Sequence, residues 1–224
     1  MGLVNHMNPR VDLIYPPNYE SMLKKIELIG RVCYKSEDKI SDQSAEDFIR
    51  GIISRGHESV IEHESVSVKV ICDRGVSHEI VRHRIASYAQ ESTRYCNYSG
   101  EKFGGHSSAI DPGSGFGWDL HDEDDKRKHD IWTAAVEDAD WYYLQMLDAG
   151  ASPQEARSVL PTSLKTEIVI TMNLREWRHF IRLRGSDAAH PQIRQIAELI
   201  RAAFICNYPV FFEDLEIEVF SDEN

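Results

Sequence analysis

Two stretches, SVSVKVIC (65–72) and LKTEIVITMN (164–173), decide the fold. In the first, Val66, Val68, Val70 and Cys72 share one face of an extended chain while Ser and Lys take the other, the period of two of a half-buried strand. The second reads as a strand that passes into a helix from Leu174 to Leu183, seated on the core by Trp177 and Ile181. Outward from these, VDLIY (11–15) alternates like a strand. Helical spacing marks Tyr19 to Tyr34, through Met22, Leu23, Ile26, Ile29 and Cys33, and Ser44 to Ser54, stopped by Gly56. Further helices are expected from Gly75 to about His83, from Asp124 to Gly150, briefly from Pro153 until Pro161 breaks it, and from Gln192 to Ile205. In the Asp124–Gly150 helix the expected apolar face is Ile131, Ala134, Ala135, Ala139, Tyr142, Tyr143 and Met146. Asn97 to Phe116, rich in Gly, Ser and Pro, reads as a long loop, and EDLEIEVF (213–220) as a closing strand. Strands and helices mix without a regular βαβ rhythm. The expected class is therefore α+β, a mixed and mainly antiparallel sheet flanked by helices, in a single domain over 1–224. No G-x-G-x-x-G follows a predicted strand, which argues against a Rossmann cofactor site.

Composition narrows the function. Apolar residues at 42% and charged residues at 28% are ordinary for a globular chain of 224 residues. The N-terminal MGLVNHMNPR lacks the apolar core of a secretory signal, and no apolar run nears the roughly 20 residues of a membrane span, so a cytoplasmic protein without a membrane partner is expected. A net charge of −12 argues against a nucleic-acid partner. Acids crowd the Asp119–Asp125 segment and the helix after it, whereas residues 150–205 carry eight Lys or Arg against five acids. Arginines concentrated in an acidic protein point to local anion sites, such as phosphates of small ligands. The four cysteines are dispersed with no C-x-x-C pair, so reduced thiols are expected. Cys72 reads as core, and Cys96 is the only one considered as a nucleophile.

Three clusters carry chemistry. RHRIASYAQESTRY (82–95) gathers Arg82, His83, Arg84 and Arg94 with the hydroxyls of Ser87, Ser92 and Thr93, a set suited to phosphate oxygens or, equally, to a solvated basic face. Arg175, Arg178, His179 and Arg182 recur at i, i+3, i+4 and i+7 and share one helical face, with only Glu176 nearby in sequence to compensate them, a set suited to an anion or, equally open, to a surface salt-bridge face. Arg184 ends that helix, and Arg157 could join either cluster or simply end its own helix. GHESVIEH (56–63) offers His57, Glu58, Glu62 and His63, but histidines six apart lie about 120° out of phase on a helix, so no metal site is expected.

The RHRIASYAQESTRY segment resembles the signature of flavin-dependent thymidylate synthases, in which R-H-R is followed after seven residues by Ser-x-Arg-Tyr. Arg82, His83, Arg84, Ser92, Arg94 and Tyr95 all match. GHES at 56, RSVLP at 157–161, NLREWRHFIRLR at 173–184 and the earlier RVCYKS at 31–36 are similar in the same order. The resemblance implies conversion of dUMP to dTMP in a homotetramer with sites at subunit interfaces. FAD reduced by NADPH would supply the hydride, 5,10-methylenetetrahydrofolate the methylene, and no enzyme nucleophile would act. It implies FAD contacts from Ser59, Arg82, His83, Arg84, Asn173, Leu174, Arg175 and His179. It implies dUMP contacts from Glu79, Arg82, Gln90, Glu91, Ser92, Thr93, Arg94, Arg157 and Arg184. Arg184 would polarise the uracil, and His57 and Tyr95 would stand close by. Ala89 and Glu79 depart from the common pattern, where Asn and Gln are frequent, and Gln90 replaces a frequent Glu. The folate and NADPH contacts, and the roles of Asn97–Phe116 and Asp119–Asp125, are not legible. Two other readings are open: a nucleotide- or RNA-binding regulatory module without catalysis, and a Cys96-nucleophile enzyme of another fold.

Overall fold

The computed structural model describes residues 4–215. Along the chain run β1 (Asn5–Met7), β2 (Arg10–Ile14), α1 (Tyr19–Tyr34), α2 (Ser44–Ser54), β3 (Ser65–Asp73) and α3 (Arg74–Ile80). Then come β4 (Ser87–Gln90), β5 (Ser108–Ile110), α4 (Gly113–Phe116), α5 (Glu123–Asp148) and α6 (Pro153–Ala156). β6 (Lys165–Asn173), α7 (Leu174–Arg184), α8 (Pro191–Asn207) and α9 (Pro209–Phe212) complete the described part. Four strands form one sheet in the order β2-β3-β6-β4, and β1 and β5 form a second. Helices and sheet are mixed, as the α+β expectation required. Leu174 N–H donates to the Glu64 carbonyl, Ser67 Oγ meets Thr171 Oγ1 at 2.8 Å, and Arg74 N–H donates to the Leu164 carbonyl. Residue numbers rise on one strand as they fall on the other, so β3 and β6 are antiparallel.

The chain divides into two compact units, each assembled from separated segments. Unit 1 holds residues up to Arg10, Val70–Arg82 and Ala89–Ile168; unit 2 holds Val11–Lys69, His83–Tyr88 and Val169 onward. In unit 2, α1 starts where Asn18 accepts the Ser21 N–H at 2.9 Å and lays Met22, Leu23 and Ile26 into the core. Gly30 lets it approach α2: a Cβ there would stand 2.5 Å from Phe48. Gly56, at φ 74, ends α2 in the left-handed region and turns the chain into the 3-10 segment Glu58–His63. Trp177 on α7 is fully buried and gives its indole N–H to the Val66 carbonyl at 3.0 Å. Trp177 and Ile181 seat α7 as the sequence predicts.

In unit 1 the expected Asn97–Phe116 loop contains β5 and α4. The pairing of β5 with β1 is parallel, and the 97–116 segment packs Tyr98 against Tyr143. The inward face of α5 matches its apolar residues only in part, at Tyr143 and at the half-buried Ala139 and Met146. Val136, Asp140 and Tyr143 are buried, whereas Ile131, Ala134, Ala135 and Tyr142 are exposed. Asp140 is tolerated there because it accepts the Ser107 N–H at 2.7 Å and meets His106 at 2.6 Å. α3 stops at Ile80, so His83 is not on it. Of the expected closing strand, Glu213–Leu215 form a turn and the rest lies outside the described residues. No helix among the described residues is long and apolar enough to cross a membrane.

Candidate active site

In unit 2, Asn173 caps α7 by accepting the Glu176 N–H at 2.9 Å, with Glu176 in the first turn and Arg182 and Arg184 in the last, the order a helix dipole favours. The cationic stripe is split rather than shared. Arg178 is turned inward with no solvent exposure, gripping Asp214 with both Nη atoms at 2.7 and 2.6 Å and Glu58 with Nε at 3.0 Å, and donating to the Phe211 carbonyl. Arg182 reaches Glu58 at 2.9 Å and Arg175 pairs with Glu62. The acids that compensate the stripe thus come from GHESVIEH and from the turn after α9, neither adjacent to it in sequence. Burial raises the Glu58 carboxyl, but Arg182 and Arg178 outweigh it and hold the group below its usual range.

His83 is buried beside this helix, with its ring 4.8 Å from Phe180 and 5.6 Å from His179. Its Nε2 accepts from Arg184 Nε at 3.1 Å, so that nitrogen carries no proton. Nδ1 then bears the hydrogen and donates to Glu176 Oε1 at 3.2 Å. Burial first, and Arg184 with His179 after it, depress the His83 pKa below 6.5 against the pull of Glu176. Tyr88 OH donates to the His83 carbonyl at 2.6 Å and fixes the turn. A cavity of about 500 Å³ opens next to this group, lined by Ile85, Asn173, Arg175, His179 and Arg182 with Glu58, Glu62 and Glu176. Arg84 and Ser59 are exposed in the same unit. Leu174 is fully buried with its N–H taken by Glu64. His57 is exposed, its Nδ1 2.6 Å from Tyr34 OH.

Unit 1 holds the other expected residues. Arg157 donates to Thr93 Oγ1 at 3.0 Å, and both line a cavity of about 440 Å³ with Arg74, His78, Gln154, Ser158 and Thr162. Arg74 Nη1 is closed off from solvent and has no hydrogen-bond partner among the described residues. Sequence reasoning missed Arg74 and His78. The expected helix starts at Gly75, which left Arg74 at an unremarked strand–helix junction, yet Asp73 capping the Val76 N–H at 2.6 Å makes Arg74 the first helical residue. Arg94 and Tyr95 are exposed and stacked, guanidinium over ring at 5.5 Å, and Ser92 Oγ accepts the Arg94 N–H at 3.3 Å. Gln90 spends its amide N–H groups on Ser77 and Thr166, at 2.9 and 3.1 Å. Glu91 is held by Lys165 at 3.0 Å and by Tyr98 OH at 3.1 Å. Arg82 is exposed and Glu79 half-buried. Cys96 packs against the cluster of Tyr98, Tyr143, Ala156 and Leu164. Although the sequence led to no expected metal ligands, two groups bring together side chains of that kind: His83–Glu176–His179 and His6–Asp111–His129.

Residues 18–210 match the family model described as thymidylate synthase complementing protein. Among curated relatives, a flavin-dependent thymidylate synthase of Mycolicibacterium vanbaalenii is 34% identical over 215 residues, covering 88% of this chain and 81% of its own. The protein of that name from Geobacter sulfurreducens is 35% identical over 184 residues, covering 79% and 75%. That from Mycobacterium tuberculosis is 33% identical over 215 residues, covering 88% and 81%.

Proposed function

Because the chain belongs to the flavin-dependent thymidylate synthase family, we propose that it is an FAD-dependent enzyme converting dUMP to dTMP, with 5,10-methylenetetrahydrofolate as carbon donor and NADPH as reductant. The observation that carries this reading is the cavity of unit 1, lined by Arg74 and Arg157 with the hydroxyl residues Thr93, Ser158 and Thr162, where one buried Arg74 nitrogen has no hydrogen-bond partner among the described residues. A nucleotide phosphate supplies the oxygens such a nitrogen needs. In this reading Arg74, Thr93 and Arg157 hold the dUMP phosphate, with Ser92 and Arg94 at its side. Glu79, Gln90 and Glu91 shape the nucleotide site; Gln90 and Glu91 do so from behind, since their polar atoms brace the sheet and Lys165.

The donor chemistry of unit 2 fits FAD. Arg175 and Arg182 are about half-exposed cations, and His179 and Asn173 line the same cavity. With Ser59, Arg82, His83, Arg84 and the Leu174 backbone, these residues would hold the cofactor. When bound, FAD supplies the redox chemistry of the reaction. Arg184 would polarise the uracil, and the His83 contact holds its guanidinium plane in place. His57 and Tyr95 would border the reactants. Cys96 forms no covalent intermediate. The proposed working form is a cytoplasmic homotetramer of single-domain chains with no nucleic-acid partner, the last supported by the net charge of −12.

Purified protein should be yellow, bleach with NADPH, and form dTMP from dUMP when the folate is present. A preparation that takes up no FAD, or that binds FAD but forms no dTMP with all reactants present, overturns the reading.

A further inference from the structure

Unit 1 carries a group of side chains that the proposed reaction leaves unused. β1 pairs in parallel with β5, setting His6 opposite Ala109 and Met7 opposite Ile110, and Asp111 N–H donates to the Met7 carbonyl at 2.9 Å. This register brings Asp111 alongside His6. α5 adds His129, whose Nε2 lies 2.9 Å from Asp111 Oδ2. One ligating atom from each of the three lies within 4.8 Å of the other two.

Three observations distinguish this group from a surface polar cluster. His6 Nε2 is closed off from water and has no hydrogen-bond partner among the described residues, an expensive state for an imidazole nitrogen. Asp111 is oriented from behind, because its Oδ1 accepts the Gly113 N–H at 2.8 Å and Oδ2 is left to face His129. Trp132 walls the group, its ring 4.9 Å from that of His6 and 5.6 Å from that of His129. His129 and Asp111 are nevertheless partly accessible, so an ion has a way in.

We propose that His6, Asp111 and His129 form a binding site for one divalent transition-metal ion. Two imidazoles and a single carboxylate match zinc. Magnesium and calcium prefer an all-oxygen shell. Three protein ligands leave a further coordination position for water. Ligation through His129 Nε2 replaces its hydrogen bond to Asp111 and places the ring proton on Nδ1. The ion would tie β1 to α5 and stabilise unit 1 by mass action, because the unfolded chain does not bring the three ligands together. His6 lies outside residues 18–210, so the site joins a segment beyond the family match to two residues inside it.

The test uses the whole chain, stripped with a chelator and titrated with zinc chloride by calorimetry, with magnesium chloride as a control. One zinc per chain should bind and raise the melting temperature, with no response to magnesium. His6→Ala and Asp111→Asn should weaken zinc by about tenfold or more, and His179→Ala, in the other histidine group, should leave this zinc in place. Circular dichroism checks that each variant is folded. If His6→Ala is not, His6→Gln, which keeps an amide near the ring position, answers the same question. The proposal is overturned if the wild-type chain binds no zinc. It is equally overturned if zinc affinity is unchanged in a folded His6 variant, or if His179→Ala rather than His6→Ala abolishes binding.

Discussion

Arg178 on α7 and Arg74 at the start of α3 both keep guanidinium nitrogens out of water, and their surroundings differ. In unit 2 Arg178 meets two carboxylates and a carbonyl. Burial pulls its pKa down, but Asp214 and Glu58 more than offset that and raise it. In unit 1 Arg74 Nη1 has no hydrogen-bond partner among the described residues, beside a cavity shared with Arg157. A buried charge requires a countercharge. Where the fold supplies one, the cation is structural; where it does not, a ligand is the remaining source. The two arginines therefore separate the framework of the molecule from its binding chemistry.

The largest expected effect tests the framework side. Arg178→Ala takes the guanidinium away from Asp214, leaves Glu58 with Arg182 alone, and should cost about 3–5 kcal/mol of stability in urea unfolding. Both carboxyls are held below their usual range: burial raises each, and the arginines outweigh it. Their contribution is therefore complete above the ordinary carboxyl pKa of about 4 and is lost as pH falls through the depressed values. Arg178→Ala should flatten that acid limb. An unchanged limb would mean that these pairs do not set it.

Next comes the binding side. Arg74→Ala and Arg157→Ala should each weaken dUMP binding about tenfold or more, as the loss of a charge-assisted contact worth about 1.5–3 kcal/mol requires. Their urea midpoints should stay close to wild type. A stability loss like that of Arg178→Ala, with dUMP affinity intact, would erase the distinction between the two arginines.

Arg184 lies between these extremes, since it holds His83 and, in the proposed reaction, faces the substrate. Arg184→Lys keeps the charge but loses the planar fork, so turnover should drop about tenfold while dUMP affinity changes little. Full turnover in the lysine variant would reduce Arg184 to a helix-end charge. His83 gives an independent pH readout. Its folded pKa lies below 6.5, so the unfolded chain binds the extra proton first, and stability should fall as pH drops below about 6.5. The smallest effect is expected at Cys96. Cys96→Ala should keep its turnover, and a folded, FAD-loaded variant without activity would instead make the thiol a nucleophile.

The long periodic elements were legible. α1 and α2 begin and end where their apolar spacing and Gly56 place them, and β3 and β6 match within a residue at each end. β1, β4 and β5 were missed because three or four residues give too little alternation to read. For β1 and β5 the strand identity comes from pairing with each other across a hundred residues of chain. The inward face of α5 was legible only in part, at Tyr143, because a buried Asp140 breaks the apolar pattern. Only the distant Ser107 and His106 explain why it is tolerated.

Family membership, the arginine-rich motifs and the residue types that bind anions were all determined by the sequence, because local spacing and residue identity carry them. Which cations are already neutralised was decided by the tertiary structure alone. Glu58 stands 120 residues from Arg178 and Asp214 stands 36 away. Arg74 was invisible as a candidate until folding closed its Nη1 off from solvent. Charge compensation and desolvation depend on distance in space, and residues that settle both can lie anywhere along the chain.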